Sequence, residues 1–133
     1  MREFIRQQKI ENTIARLEEF FIANRRRTVH MSEICEATGV SERTLRVYCR
    51  EHLGLSPIRY IWLRRMQLAR DTLLRAERKT VTVTEVATEY GFWELGRFSV
   101  NYRAIFGESP SATLLRPSQA VSSNALAESV QAA

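Results

Sequence analysis

The stretch "GVSERTLRVYCREHLGLSP" runs from Gly39 to Pro57, and "GFWELGRFSVNYRAIFGESP" runs from Gly91 to Pro110. Both begin with glycine and an apolar residue, carry an arginine-bearing helical pattern, and end on Gly-x-Ser-Pro. The correspondence extends outward from these two segments. Ser32-Glu33-Ile34-Cys35 matches Thr84-Glu85-Val86-Ala87, and Gly39 matches Gly91, all 52 positions apart. From Leu45 the offset is 53, pairing Leu45 with Phe98, Cys49 with Tyr102, Leu53 with Phe106, Gly54 with Gly107 and Pro57 with Pro110. A short helix, a tight glycine turn and a longer helix form a helix-turn-helix pattern. One copy is a weak signal. Two copies in register, joined by one uninterrupted helix, are a much stronger one.

The remaining elements follow from periodicity and punctuation. Ile10, Ile14, Leu17 and Phe21 recur at helical spacing and predict a helix over 4–24. A short helix over 31–38 turns Ile34 and Cys35 inward and stops at Gly39. Ser41 is an N-cap for a helix over 42–53, and Ser56-Pro57 restarts the chain after Gly54. Ile58, Ile61, Trp62, Met66, Ala69 and Leu73 mark one face of a helix reaching to about Arg78, roughly 30 Å long at 1.5 Å per residue. Thr82-x-x-Glu85 is a capping box that opens a short helix to about Glu89. A further helix spans 94–106, and Ser109-Pro110 begins a last short one that Pro117 closes. No alternating pattern is long enough to demand a strand. The expected fold is all-α, about seven helices in two helix-turn-helix subdomains (11–56 and 80–116) joined by a long connecting helix (57–79). Residues 1–10 read as a linker remnant, and the Ser/Ala-rich residues 117–133 as a flexible tail.

The chain has 133 residues, 44% of them hydrophobic, and a formal net charge of +5. Of its 20 basic residues only Lys9 and Lys79 are lysine. Arginine is the better partner for phosphate and guanine; a solvated surface under a GC-rich codon bias is the other reading. Cys35 and Cys49 stand in apolar helical patterns with no CxxC or Cys/His cluster, so they read as core residues of a reduced compartment. The N-terminal stretch "MREFIRQQKI" is charged throughout and has no secretory core. Nothing approaches a membrane span. His30 and His52 lie far apart, and no metal-spaced cluster or Gly-rich phosphate loop is present. The expectation is therefore a cytoplasmic protein without cofactor, metal or catalytic site.

The segments "SEICEATGVSERTLRVYCREHLGLSPIRYIWLRRMQLARDTLL" and "VTEVATEYGFWELGRFSVNYRAIFGESPSATL" closely resemble the DNA-binding domain of the AraC/XylS family of bacterial transcription regulators. The resemblance implies seven helices in two subdomains, with two recognition helices entering successive major-groove segments of double-stranded promoter DNA. It also implies an activator, with RNA polymerase as a further partner, and a separate N-terminal effector or dimerisation domain. We expect the chain to be a fragment lacking that domain, the alternative being a complete small family member. A connecting helix of roughly 30 Å suits readers about one DNA turn apart, ~34 Å.

A helical wheel separates core from groove. In the first long helix Leu45, Cys49, His52 and Leu53 face the core, with Tyr48 at its edge. Arg43, Val47 and Arg50 lie opposite, flanked by Thr44 and Arg46. Arg43 and Arg46, nearest the N-terminus, are candidates for base edges, and Arg50 for a phosphate. His52 reads as a packed or rim histidine. In the second long helix Leu95, Phe98, Tyr102, Ile105 and Phe106 face the core, with Asn101 at its edge. Gly96, Val100 and Arg103 take the groove face, flanked by Arg97 and Ser99. Position by position, Arg43 becomes Gly96, Arg46 becomes Ser99, Val47 becomes Val100 and Arg50 becomes Arg103. The second unit departs from the family pattern at Gly96. It is expected to read less, through phosphate contacts from Arg97 and Arg103 and apolar contact from Val100. The helix starts near His30 and Thr82 are further phosphate candidates. Arg25 to Arg27 read as either a solvated loop or an electrostatic attractor. Trp93 reads as core packing under the long helix, with a DNA or partner contact as the alternative. The competing reading of the whole chain is a helical module whose basic face binds an acidic protein.

Overall fold

Periodicity and capping account for most of the helices in the computed structural model, which describes residues 1–76 and 80–117. Seven α-helices and no strand are present among those residues. Residues 77–79 and 118–133, the latter holding most of the expected flexible tail, lie outside the described residues. The chain divides into two compact units, the first spanning Met1–Leu63 and the second beginning at Arg64.

The first unit contains α1 (Arg2–Ala23), α2 (Met31–Thr38), α3 (Glu42–Leu53) and the opening of α4 (Pro57–Arg75). α1 packs on both α2 and α3. Its buried stripe is Ile10, Thr13, Leu17 and Phe21. Thr13 takes the place expected of Ile14, which is half-buried. A threonine fits there because its hydroxyl donates to the Lys9 carbonyl at 2.8 Å and leaves only the methyl to pack. Ile34, Leu45 and Cys49 complete this core, all fully buried. Each large apolar side chain so buried contributes about 1.5–3 kcal/mol relative to exposure.

Residues 1–10, read as linker, instead form the first turns of α1, which begins at Arg2 rather than Phe4. Arg6 donates two hydrogen bonds to Glu51 of α3, at 2.6 and 2.8 Å. That contact holds the Glu51 carboxyl below the usual carboxylate range. Both partners are solvent-exposed, so the pair adds little stability. Tyr60 of α4 donates to the Glu18 carboxylate of α1. Ile58, expected in the core, is 45% exposed in the first turn of α4. His52 is also exposed. Both residues lie in end turns, where a helical wheel overstates burial.

The second unit contains the rest of α4 with α5 (Val83–Glu89), α6 (Leu95–Phe106) and α7 (Pro110–Leu115). The last three pack on one another. Thr82 and Ser109 cap α5 and α7, each accepting a backbone N–H at 3.1 Å. Four aromatic rings run through this core: Phe92 to Phe98 at 4.9 Å, Phe98 to Tyr102 at 5.7 Å and Tyr102 to Phe106 at 4.7 Å. The Arg70 guanidinium lies over Phe106 at 5.0 Å. The Tyr102 hydroxyl donates to Thr113 of α7 at 2.7 Å, and burial pushes its pKa up to about 12. On α4, Met66, Ala69 and Leu73 are buried as the pattern predicts; Arg65 and Gln67 are buried as well. α4 ends at Arg75 rather than near Arg78, and no glycine or proline marks that stop.

Each unit places an arginine against the glycine of its turn. Gly39 and Gly91 have φ of +76° and +88°, a left-handed backbone that side chains strain. Arg16 of α1 donates to the Thr38 carbonyl at 3.3 Å. Arg65 of α4 donates to the Tyr90 carbonyl at 3.4 Å. A Cβ on Gly39 would stand 3.4 Å from the Arg16 guanidinium, an ordinary contact, whereas one on Gly91 would stand 2.8 Å from that of Arg65. Gly91→Ala must therefore displace a buried arginine as well as strain the backbone. It should lose about 2 kcal/mol in urea unfolding, against about 1 kcal/mol for Gly39→Ala.

Both cysteines are free. Burial pushes the Cys49 thiol up to about 11, so it stays protonated at neutral pH. Its raised value favours the folded state below the unfolded thiol's pKa, and that contribution fades as pH climbs towards about 11. An alkylating reagent at pH 7 should label half-buried Cys35 first and reach Cys49 only on unfolding, as read by peptide mass spectrometry.

Candidate nucleic-acid interface

The exposed face of α3 is basic. Ser41 caps the helix: its Oγ accepts the Thr44 amide at 3.2 Å and lies 3.1 Å from the Thr44 hydroxyl. That leaves Thr44 half-buried and engaged with its own cap. Arg43, Arg46, Val47 and Arg50 are all exposed, on the side opposite buried Leu45 and Cys49. With Ser41, Glu42 and Glu51 they line an open concavity of about 720 Å³. Arg46 pairs with Glu42 one turn back at 2.7 Å, and Glu51 is held by Arg6. Arg43 and Arg50 make no ion pair among the described residues. The two glutamates are thus engaged while two guanidinium groups face water unpaired.

The corresponding face of α6 is more open, with Gly96 in the place of Arg43, Val100 in that of Val47 and Arg103 in that of Arg50. Gly96, Arg97, Val100 and Arg103 are exposed and Ser99 is half-buried. A Cβ on Gly96 would meet nothing within 4 Å, so its lack of a side chain leaves open space above the first turn. Arg97 leans on Glu94 at 3.4 Å, both strongly exposed. Arg103 makes no ion pair among the described residues. Two core assignments fail here. Leu95 is 36% exposed, and Trp93 is 73% exposed. The turn itself explains Trp93. The Phe92 amide bonds to the Ala87 carbonyl at 2.9 Å and the Phe92 ring packs on Phe98, which turns the next side chain outward. Leu95 opens the helix, where the core has already receded.

The other candidates are more constrained. Arg27 pairs with Glu33 at 2.7 Å and donates to Asn24 at 2.7 Å, so the basic run is partly occupied within the chain. α2 begins at His30 without a side-chain cap, while at α5 the Thr82 hydroxyl already occupies the Glu85 amide. Neither arginine of the turns, exposed Arg16 or buried Arg65, is visible from the repeat. They lie 49 positions apart, outside both offsets of the matched residues.

Residues 34–116 match the family described as "Helix-turn-helix domain". The chain superposes on a probable AraC family transcriptional regulator from Rhodopseudomonas palustris CGA009 with a TM-score of 0.70 and 35% identity, over 80% of this chain and 99% of that one. The chain belongs to the AraC family of helix-turn-helix transcription regulators. Among its AraC-family relatives, the XylDLEGF operon transcriptional activator 2 of Pseudomonas putida is 36% identical over 99 residues, 74% of this chain and 63% of that protein. The XylDLEGF operon transcriptional activator 1 of the same organism is 37% identical over 101 residues, 76% of this chain and 30% of that protein. The chain thus spans between about a third and two thirds of these relatives. Among the described residues no helix is long and apolar enough to cross a membrane.

Gly96 tests how this AraC-family helix is built. It is the second residue of α6, with open space around it and no positive φ. Gly96→Ala should stabilise the fold by about 0.5 kcal/mol, raising the thermal midpoint by a few degrees.

Proposed function

We propose that this chain binds double-stranded promoter DNA sequence-specifically, as the DNA-binding part of a cytoplasmic transcription activator, with α3 and α6 as recognition helices in successive major-groove segments. The observation that carries this reading is the exposed arginine face of α3, set directly after the helix-turn-helix turn and around an open concavity. Arg43 and Arg46 read base edges, Arg50 holds a phosphate, and Thr44 and Val47 flank them. Arg97 and Arg103 hold phosphates beside α6, with Gly96, Ser99 and Val100 presenting a small, largely apolar surface. The two subdomains are 11–56 and 80–116. The chain acts by binding and not by catalysis, a reading that rests on its family membership. RNA polymerase and an N-terminal effector or dimerisation domain are partners of the whole protein. The second of these is supported by the greater length of the relatives.

Selection of bound duplexes from a random pool tests the assignment. Arg43→Ala and Arg46→Ala should each relax preference at one base position, at about 1–3 kcal/mol of discrimination. Arg97→Ala and Arg103→Ala should weaken all duplexes alike and each lower the salt dependence by about one counterion. Loss of preference in Arg97→Ala with full preference kept in Arg43→Ala and Arg46→Ala would reverse these roles.

A further inference from the structure

The face of α6 carries a feature that basic contacts leave unexplained. Trp93 and Val100 are 73% and 70% exposed, and Gly96 lies between them in sequence with no side chain. Gly96 and Val100 are one turn apart and so share a face of the helix. Trp93 stands just before the Glu94 N-cap. Its backbone is held on both sides. Gly91 before it is left-handed under Arg65, Phe92 is anchored to Ala87 and Phe98, and the Glu94 carbonyl after it accepts the Phe98 amide at 2.9 Å. With the backbone held on both sides, only the two side-chain torsions of this exposed indole are left for binding to order. Arg97, its side chain 77% exposed, and Arg103 place positive charge on the same helix. That charge suits a polyanion, while the strip itself holds no hydrogen-bonding group beyond the indole N–H. In the major groove the apolar group on a base edge is the thymine 5-methyl.

We propose that Trp93 is a specificity-determining residue that reads a thymine methyl in the major groove, so that the second unit recognises its sequence by apolar contact instead of arginine hydrogen bonds. The inference rests on the DNA-binding reading of α6. The open space at Gly96 lets the duplex approach the helix closely enough for the indole face to reach the base edge. Val100, one turn further along, touches a different position.

Single replacement of each thymine by uracil in the selected duplex tests this, because it deletes only the methyl. At one thymine, uracil should weaken binding of the unaltered chain about fourfold, the worth of a buried methyl group. Trp93→Ala should bind thymine and uracil there equally, while Trp93→Phe and Val100→Ala keep the difference. An unchanged thermal midpoint for Trp93→Ala shows that the fold is intact, as expected for an exposed residue. If Trp93→Ala feels every uracil as the unaltered chain does, the inference is overturned while DNA binding stands. The same holds if no uracil weakens the unaltered chain. A chain that selects no duplex at all overturns both.

Discussion

In each unit an arginine from the preceding long helix lies against the turn between the short helix and the exposed one. The guanidinium donates to the last carbonyl before a left-handed glycine, at Thr38 in one unit and Tyr90 in the other. At Gly91 the arginine stands where a Cβ would be. The left-handed glycine is the constraint on which the turn depends, and the arginine bonds the carbonyl just before it. In the first unit Gly39 closes the short helix and the Ser41 cap starts the next one, with Leu45 and Cys49 inward. In the second unit the turn places Phe92 against Phe98 and leaves Trp93 in solvent.

The two units solve the same packing problem with different residues. The first fills its core with Leu45, Cys49 and the stripe of α1, all aliphatic or small except Phe21. The second replaces Leu45, Cys49 and Leu53 with Phe98, Tyr102 and Phe106, and the rings form a ladder along α6. The outward faces diverge as well. α3 shows three arginines, whereas α6 shows glycine and valine with Arg103 on the same face and Arg97 on its flank, and Trp93 stands exposed just before the helix. A face dense in arginine and one with more apolar surface suit different chemistry on a base edge.

Charge on these faces is balanced weakly. The Arg46–Glu42, Arg97–Glu94 and Arg6–Glu51 pairs are all solvent-exposed. Such pairs contribute little in water, so a guanidinium can exchange its glutamate for a phosphate or a base at small cost. Glu42 and Glu94 nonetheless keep Arg46 and Arg97 oriented locally, whereas Glu51 ties Arg6 of α1 to α3.

Much of this was legible in the chain because the cues are local. Seven helices, their caps and the repeat follow from Ser, Thr, Pro and Gly at fixed offsets, since capping and left-handed turns depend on the residues beside them. The outward sides of α3 and α6 also followed, because a helical period sets direction around the axis. Periodicity says nothing of how far a neighbouring element extends. For that reason Ile58, Leu95 and Trp93 were expected in the core and lie exposed, while polar Thr13, Arg65 and Gln67 are buried. The sequence by itself determined the elements and the side of each that turns inward. Only the tertiary structure decided which arginines sit on the turns, which carboxylates are already engaged and where the core ends. Those depend on contacts between residues tens of positions apart, which no local pattern encodes.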